Sequence, residues 1–150
     1  MKTKSHIFRV LLFTSCMASS ATTLPSKPQI SRAEQISYTD AEILVYLLPQ
    51  AQELRRQGMD IGWELQTSPA LNQTNFYIFW VVNSKRPKVE GSVTVGYFAV
   101  NKHTADVWDQ GLEEFVVSPD VAAVQSILRR GHHIGAETIS SFRQMRPEIK

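Results

Sequence analysis

The sequence predicts an α+β fold, with an N-terminal helix packed on an antiparallel meander of about four strands, then one or two C-terminal helices. Three observations carry the prediction. Apolar residues recur at intervals of three and four over 43–54, strand-like blocks separated by short polar loops run over 62–109, and helical spacing returns after Pro119. Short loops between successive strand blocks favour hairpins, and hence the antiparallel order.

The first helix is expected to start near Thr39, because Thr39 and Glu42 have the spacing of a capping box, in which hydroxyl and carboxylate each take up a first-turn amide. Ile43, Leu44, Leu47, Leu48, Ala51 and Leu54 then share one face. Pro49 removes an amide donor inside this stretch, which predicts a kink or a break into two short helices, and Arg55, Arg56 and Gly58 are stop signals. Residues 62–67 alternate as a half-buried strand, and 68–73 form a connecting loop. Residues 75–83 are apolar on both faces, as a strand covered from two sides would be. A polar, proline-broken hairpin loop over 84–91 leads to a strand over 92–100, a turn over 101–105 and a returning strand over 106–109. Gly91 and Gly96 read as turn and bulge residues. Ser118 and Pro119 form a favoured N-cap and first helical position, Val121, Val124 and Leu128 face inward, and Arg129, Arg130 and Gly131 close the helix. A last short helix is expected from about Ala136 through Met145. Trp63, Trp80 and Trp108 come from three different strands. Trp80 is expected in the core, and the sheet face opposite the first helix, if uncovered, would present an aromatic docking surface.

Ahead of this domain, Lys2, Lys4 and Arg9 precede a short apolar run over 10–18 and the small residues Ser19, Ser20 and Ala21. That is the layout of a secretory signal peptide, and the apolar run is too short for a bilayer core of about 30 Å. Two exits fit. Cleavage after Ala21 gives a signal peptide over 1–21, whereas Leu12 to Cys16 resembles a bacterial lipobox, with a signal over 1–15 and lipidation of Cys16. Residues 22–36, rich in Thr, Ser and Pro, read as a flexible tether, leaving 37–150 as a single domain. The expected location is the periplasm, free or anchored to the outer membrane on its periplasmic side.

Cys16 is the single cysteine, so the folded part has no thiol for a disulfide, a catalytic nucleophile or a metal site. The chain has 16 Lys and Arg against 14 Asp and Glu, and removing the three basic residues of the signal leaves a formal charge of −1. The basic character therefore belongs to targeting, and nucleic acid is not an expected partner. A membrane is expected to be met only through the lipid anchor.

No residue constellation amounts to an active site. His132 and His133, with Glu137 nearby, have metal-like chemistry, but Gly131 and Gly135 bracket them in an interhelix loop, and histidines at a helix C-terminus commonly meet its carbonyls. Asp106, Asp109, Glu113 and Glu114 flank turns and helix starts, where acids are usually solvated. A small hydrolase would need a polar cleft holding His103 or His132 beside a carboxylate. Neither a catalytic residue, a metal nor a cofactor is expected. The compact cationic loop Lys85, Arg86 and Lys88, together with Lys102, His103 and Trp108 at and beyond the next turn, forms the candidate interface for a protein partner.

The run Gly96-Tyr97-Phe98-Ala99-Val100-Asn101-Lys102-His103-Thr104-Ala105-Asp106-Val107-Trp108-Asp109 resembles a recurring bacterial hairpin, aromatic-x-Val-Asn/Asp-x-x-Thr-Gly-x-Val-Trp. It is similar to the last hairpin of PepSY-like domains and to segments of small exported immunity proteins that neutralise antibacterial effector enzymes. Ala105 stands where the pattern has Gly, which predicts a strained turn or one of another type. Neither group supplies catalytic residues. The resemblance implies an exported envelope binding protein, foremost an immunity protein or inhibitor that occludes a partner enzyme or toxin. The other reading it implies is a PepSY-like modulator of an envelope peptidase; apart from the resemblance, a structural lipoprotein without an enzyme partner is a third reading.

Overall fold

The computed structural model describes residues 35–67, 74–84 and 94–147. The chain runs through α1 (Tyr38–Tyr46), α2 (Pro49–Arg56), β1 (Ile61–Leu65), β2 (Phe76–Asn83), β3 (Thr94–Asn101), β4 (Val107–Asp109), β5 (Glu114–Phe115), α3 (Pro119–Gly131) and α4 (Ala136–Phe142). The strands form one five-stranded antiparallel sheet in sequence order. This is the expected α+β meander with one strand more than predicted: β5 is two residues long, too short to leave a periodic signal. The signal segment, Cys16 and the loop carrying Lys85, Arg86 and Lys88 lie outside the described residues. Among the described residues, no helix is long and apolar enough to cross a membrane.

The start of α1 differs from expectation. Ser37, not Thr39, is the N-cap, and the capping box closes with Asp40: the Ser37 side chain accepts from the Asp40 amide, and the Asp40 carboxylate accepts from the Ser37 amide at 2.8 Å. Both patterns exist in the sequence, and burial decides between them. Starting at Tyr38 turns Ala41, Leu44 and Val45 inward, all fully buried. The domain reaches back to Ile36, which is 1% exposed and donates its amide to the Lys102 carbonyl at 2.8 Å.

Pro49 divides the helical stretch into α1 and α2, as its missing amide requires. The carbonyl of Tyr46, left without a helical partner at the break, accepts from Arg55 Nη1 at 2.6 Å and Gln52 Nε2 at 2.8 Å. The Arg55 guanidinium also lies 4.1 Å from the Tyr46 ring centroid. The Val45 carbonyl, which the Pro49 amide would have met, accepts instead from the Leu48 amide at 3.3 Å, so the break leaves neither carbonyl without a donor.

The main core lies between the helices and one face of the sheet. Leu44, Val45 and Ala51 from the first two helices and Leu48 at the break between them meet Phe79, Val81, Phe98, Val100 and Val107, with Val121 and Leu128 from α3. Alternation along β2 sends Phe76 and Ile78 to the opposite face, where they form a second small cluster with Ala99 and Trp108. Both faces of β2 are therefore occupied, as its unbroken apolar sequence predicts.

The register slips between Val81 and Val82, so that Val81 faces Gly96 while Val82 faces Thr94. Gly96 sits at this bulge, and it is also where the Phe98 ring lies: a Cβ there would stand 3.0 Å from Phe98 Cε2. Phe98 is 1% exposed and has little room to retreat. Gly96→Val is accordingly expected to destabilise the fold by about 1–3 kcal/mol, as a lower urea midpoint. An unchanged midpoint would show that the ring moves freely.

Candidate functional site

Three features near the β3–β4 end and the outer sheet face carry the chemistry that sequence reasoning singled out. The first is the β3–β4 turn. Asn101 Oδ1 accepts from the amides of His103 at 2.9 Å and Thr104 at 3.2 Å, and the Thr104 hydroxyl accepts from the Asp106 amide. Ala105 completes the turn at φ 58°, in the left-handed region where the pattern it resembles has Gly. Its methyl is fully buried. The predicted strain is present, of the order of 1–2 kcal/mol for a left-handed alanine, and the side-chain bonds from Asn101 and Thr104 hold the turn against it.

His103 lies within this turn at 4% exposure, its ring stacked 3.9 Å from that of Phe142. Nε2 is 3.2 Å from Asn75 Oδ1, so Nε2 carries the proton and Nδ1 is a buried acceptor without a partner. Burial, and secondarily the Lys102 charge, hold the His103 imidazole below the ordinary histidine value. Protonating it would put a charge and an unmatched N–H inside the protein. Stability is therefore expected to be full above pH 6.5, the ordinary value, to decline as the pH falls through it, and to level off below the depressed folded value. Thermal unfolding at about pH 7.5 and pH 5.5 measures this, and His103→Gln should flatten the difference. An equal difference in the variant would assign it to another group.

The second feature is the buried ion pair at the start of β4. The Arg129 guanidinium donates from Nε to the Thr104 carbonyl and from Nη2 to Asp106 Oδ1, each at 2.7 Å. Arg143 Nε lies 3.4 Å from Asp106 Oδ2, which has no hydrogen-bond partner. Asp106 is not the solvated acid that its place beside a turn suggests: its side chain is 8% exposed. Asp109 is buried too, accepting from the amides of Gly111 and Leu112 and from Gln50 Nε2. These two aspartates build turns and hold helices. A hydrolytic His103–Asp106 pair is not assembled, since His103 turns to Asn75 and Asp106 to the arginines. Around Asp106 and Arg129 lies a cleft of about 420 Å³, walled by residues just after β5 and by α3.

The third feature is the outer sheet face. Trp80 is not in the core: it is half-buried, stacked on Tyr97 at 6.3 Å between ring centroids, and donates to Thr94 Oγ1 at 3.2 Å. Tyr97 is 44% exposed. Alternation explains the difference, because Phe79 and Val81 occupy the helix side and leave Trp80 to the other. Trp63 goes to the helix side, donating to Glu42 Oε1 at 3.1 Å and meeting Tyr46 edge-on.

The predicted interface residues do not form one patch among the described residues. Lys102 rests over the Tyr77 ring at 4.7 Å and donates to the Thr74 carbonyl, and burial holds its ammonium below the usual lysine value. His103 is enclosed. Trp108 is half-buried on the outer face, with the Arg146 guanidinium 4.4 Å from its ring and Phe115 edge-on against it. What the sequence missed is Tyr97, whose exposure follows from its register opposite Trp80.

His132 caps α3, and its Nε2 reaches Asp40 Oδ2 at 2.8 Å, tying α3 to α1. Burial alone would raise the Asp40 carboxyl, but its hydrogen bonds with Ser37 and His132 outweigh that and hold it below the usual value. His132 thus meets a side chain of another helix rather than the carbonyls of its own. Among the described residues, no three of His, Cys, Asp or Glu group closely enough to hold a metal ion.

With this geometry in place, the fold finds a counterpart. It is similar to one chain in the structure of a type VI secretion system effector-immunity complex from Pseudomonas protegens. The match has a TM-score of 0.55 and 20% sequence identity, covering 79% of this chain and 94% of that one. The likeness is one of fold. No protein-family model matches the chain, and no curated protein matches it in sequence.

Proposed function

We propose that this is an exported binding protein that acts as an immunity protein, occluding a partner antibacterial effector enzyme. The observation that carries the reading is the fold likeness, which extends over 94% of a chain from an effector-immunity complex. The PepSY-like alternative rests on residues 96–109 alone. The outer sheet face supports the same reading, since the Trp80–Tyr97 pair offers a rigid aromatic anchor, the chemistry that concentrates binding energy at protein interfaces. The basic and apolar segment before Ser19 supports export, to the periplasm or to the outer membrane through Cys16.

The test is capture of the tagged chain from lysate and culture supernatant of its own source, followed by assay of what it recovers. One enzyme recovered in stoichiometric amount and inhibited by the chain is the expected result. Recovery of nothing above background, or of a protein whose activity the chain leaves unchanged, would overturn the proposal.

A further inference from the structure

We propose that the cleft between the end of β5 and α3 binds the C-terminal carboxylate of an extended peptide ending in an apolar residue. The cleft shares no residue with the Trp80–Tyr97 pair, and its occupancy does not depend on the immunity reading.

Charge is the first argument. Arg129 and Arg143 stand at the cleft with Asp106 as the carboxylate between them, leaving one positive charge in excess. Arg129 is held in plane by its two 2.7 Å bonds, yet its Nη1 has no partner among the described residues. The terminal nitrogens of Arg143 have none either, among the same residues. A fixed guanidinium beside a more exposed one is a fitting receptor for a second carboxylate, which would accept these unused donors and neutralise the site.

An orphaned acceptor supplies the second argument. Asp106 Oδ2 is buried without a hydrogen-bond partner, covered by Arg143, whose side chain is 56% exposed. When Arg143 swings toward an incoming carboxylate, that oxygen becomes able to accept an N–H. A chain-terminal residue has such a donor beside its carboxylate, namely its own amide N–H. An aspartate or glutamate side chain does not.

Shape supplies the third. Val107, Val116 and Val117 line the cleft with Ala122 across from them, in a volume of about 420 Å³, at the lower end of the range for binding clefts. Val117 is 86% exposed and makes no hydrogen bond among the described residues. It lies two residues beyond the two-residue edge strand β5, past Val116, whose amide still bonds to the Val107 carbonyl, so the backbone N–H and C=O of Val117 can pair with an added extended segment. A peptide lying there would place its last side chain against the valines and its carboxylate at the arginines.

The experiment uses the full chain labelled with nitrogen-15 and three synthetic probes: acetyl-Gly-Ala-Val-Val with a free carboxylate, the same peptide as its C-terminal amide, and acetyl-Val-Glu-Val amide. The free acid is expected to shift the Arg129 Nε–H signal and the Val117 amide saturably. The amide and the internal glutamate should bind at least about ten-fold more weakly. Arg143→Gln should weaken the free acid by about ten-fold. Ala122→Phe, at an exposed helix position, should plug the cleft and abolish binding while the thermal midpoint holds. Equal binding of acid and amide, equal binding of the glutamate peptide, unaltered binding to Ala122→Phe, or no saturable shift at millimolar peptide would each overturn the proposal. None of these results bears on capture of an effector, which is read separately.

Discussion

Arg129→Leu is expected to lower folding stability by about 3–5 kcal/mol, the loss that follows when one partner of a buried ion pair is removed. Arg129 is 21% and Asp106 8% exposed at the side chain, so neither charge is well hydrated in the folded protein. Without the guanidinium, the Asp106 carboxylate loses its 2.7 Å partner, and the Thr104 carbonyl loses its own bond inside the strained β3–β4 turn. Urea unfolding measures the effect, as a midpoint shift of at least about 1 M for a domain of this size. Arg143→Leu is the contrasting variant. Its contact with Asp106 is longer, at 3.4 Å, and its side chain is 56% exposed, so solvent screens it and the loss should stay below about 1 kcal/mol. Replacing Asp106 and Arg129 together by leucines should recover part of the single-variant loss, because an apolar pair leaves no uncompensated charge. Equal losses for Arg129→Leu and Arg143→Leu would refute a buried pair centred on Arg129.

On the proposed immunity reading, Tyr97→Asp should leave the domain folded and weaken binding of the captured partner by about 30-fold or more, the effect of removing an aromatic anchor worth about 2 kcal/mol or above. The ring is 44% exposed, so the substitution buries no charge in the free protein, and the unfolding midpoint should move by less than about 1 kcal/mol. In the complex, the carboxylate would sit against Trp80, where the bound enzyme excludes water. The control is Ile127→Asp: this side chain is 58% exposed on α3, a helix whose buried apolar residues Val121 and Leu128 belong to the core on the other side of the sheet. It should bind normally. If Tyr97→Asp inhibits the captured enzyme as well as the unaltered chain does, the outer sheet face is not the interface. A loss with both variants would point to a surface not confined to one side of the sheet.

Much of the fold is legible in the residues themselves. Pro49 dictates the break between α1 and α2, Ser118 with Pro119 fixes the start of α3, and the apolar blocks with short loops give the meander. These are local rules, in which a missing donor or a hydroxyl cap acts on its own neighbours. The start of α1 was less determined, because Ser37 with Asp40 and Thr39 with Glu42 offer the same capping chemistry, and only packing of Leu44 and Val45 against the sheet chooses.

The sites were hardest to read. Asp106 and Asp109 look solvated in sequence because turns usually are, yet Arg129, 23 residues after Asp106, makes the first a buried ion pair. His103 looks like an accessible turn residue until Phe142 stacks on it from α4. Trp80 looks like core because its neighbours are apolar, but only pairing with Tyr97 shows which face it takes.

By itself, the sequence determined the element types and their order apart from β5, the antiparallel connection, the break at Pro49 and the cap of α3, because each depends on residues a few positions apart. The tertiary structure alone decided which polar groups are buried, which aromatic face remains accessible and where charge gathers. Burial and ion pairing arise between residues distant in the chain, and no local pattern encodes the dielectric around a side chain or the partner that reaches it.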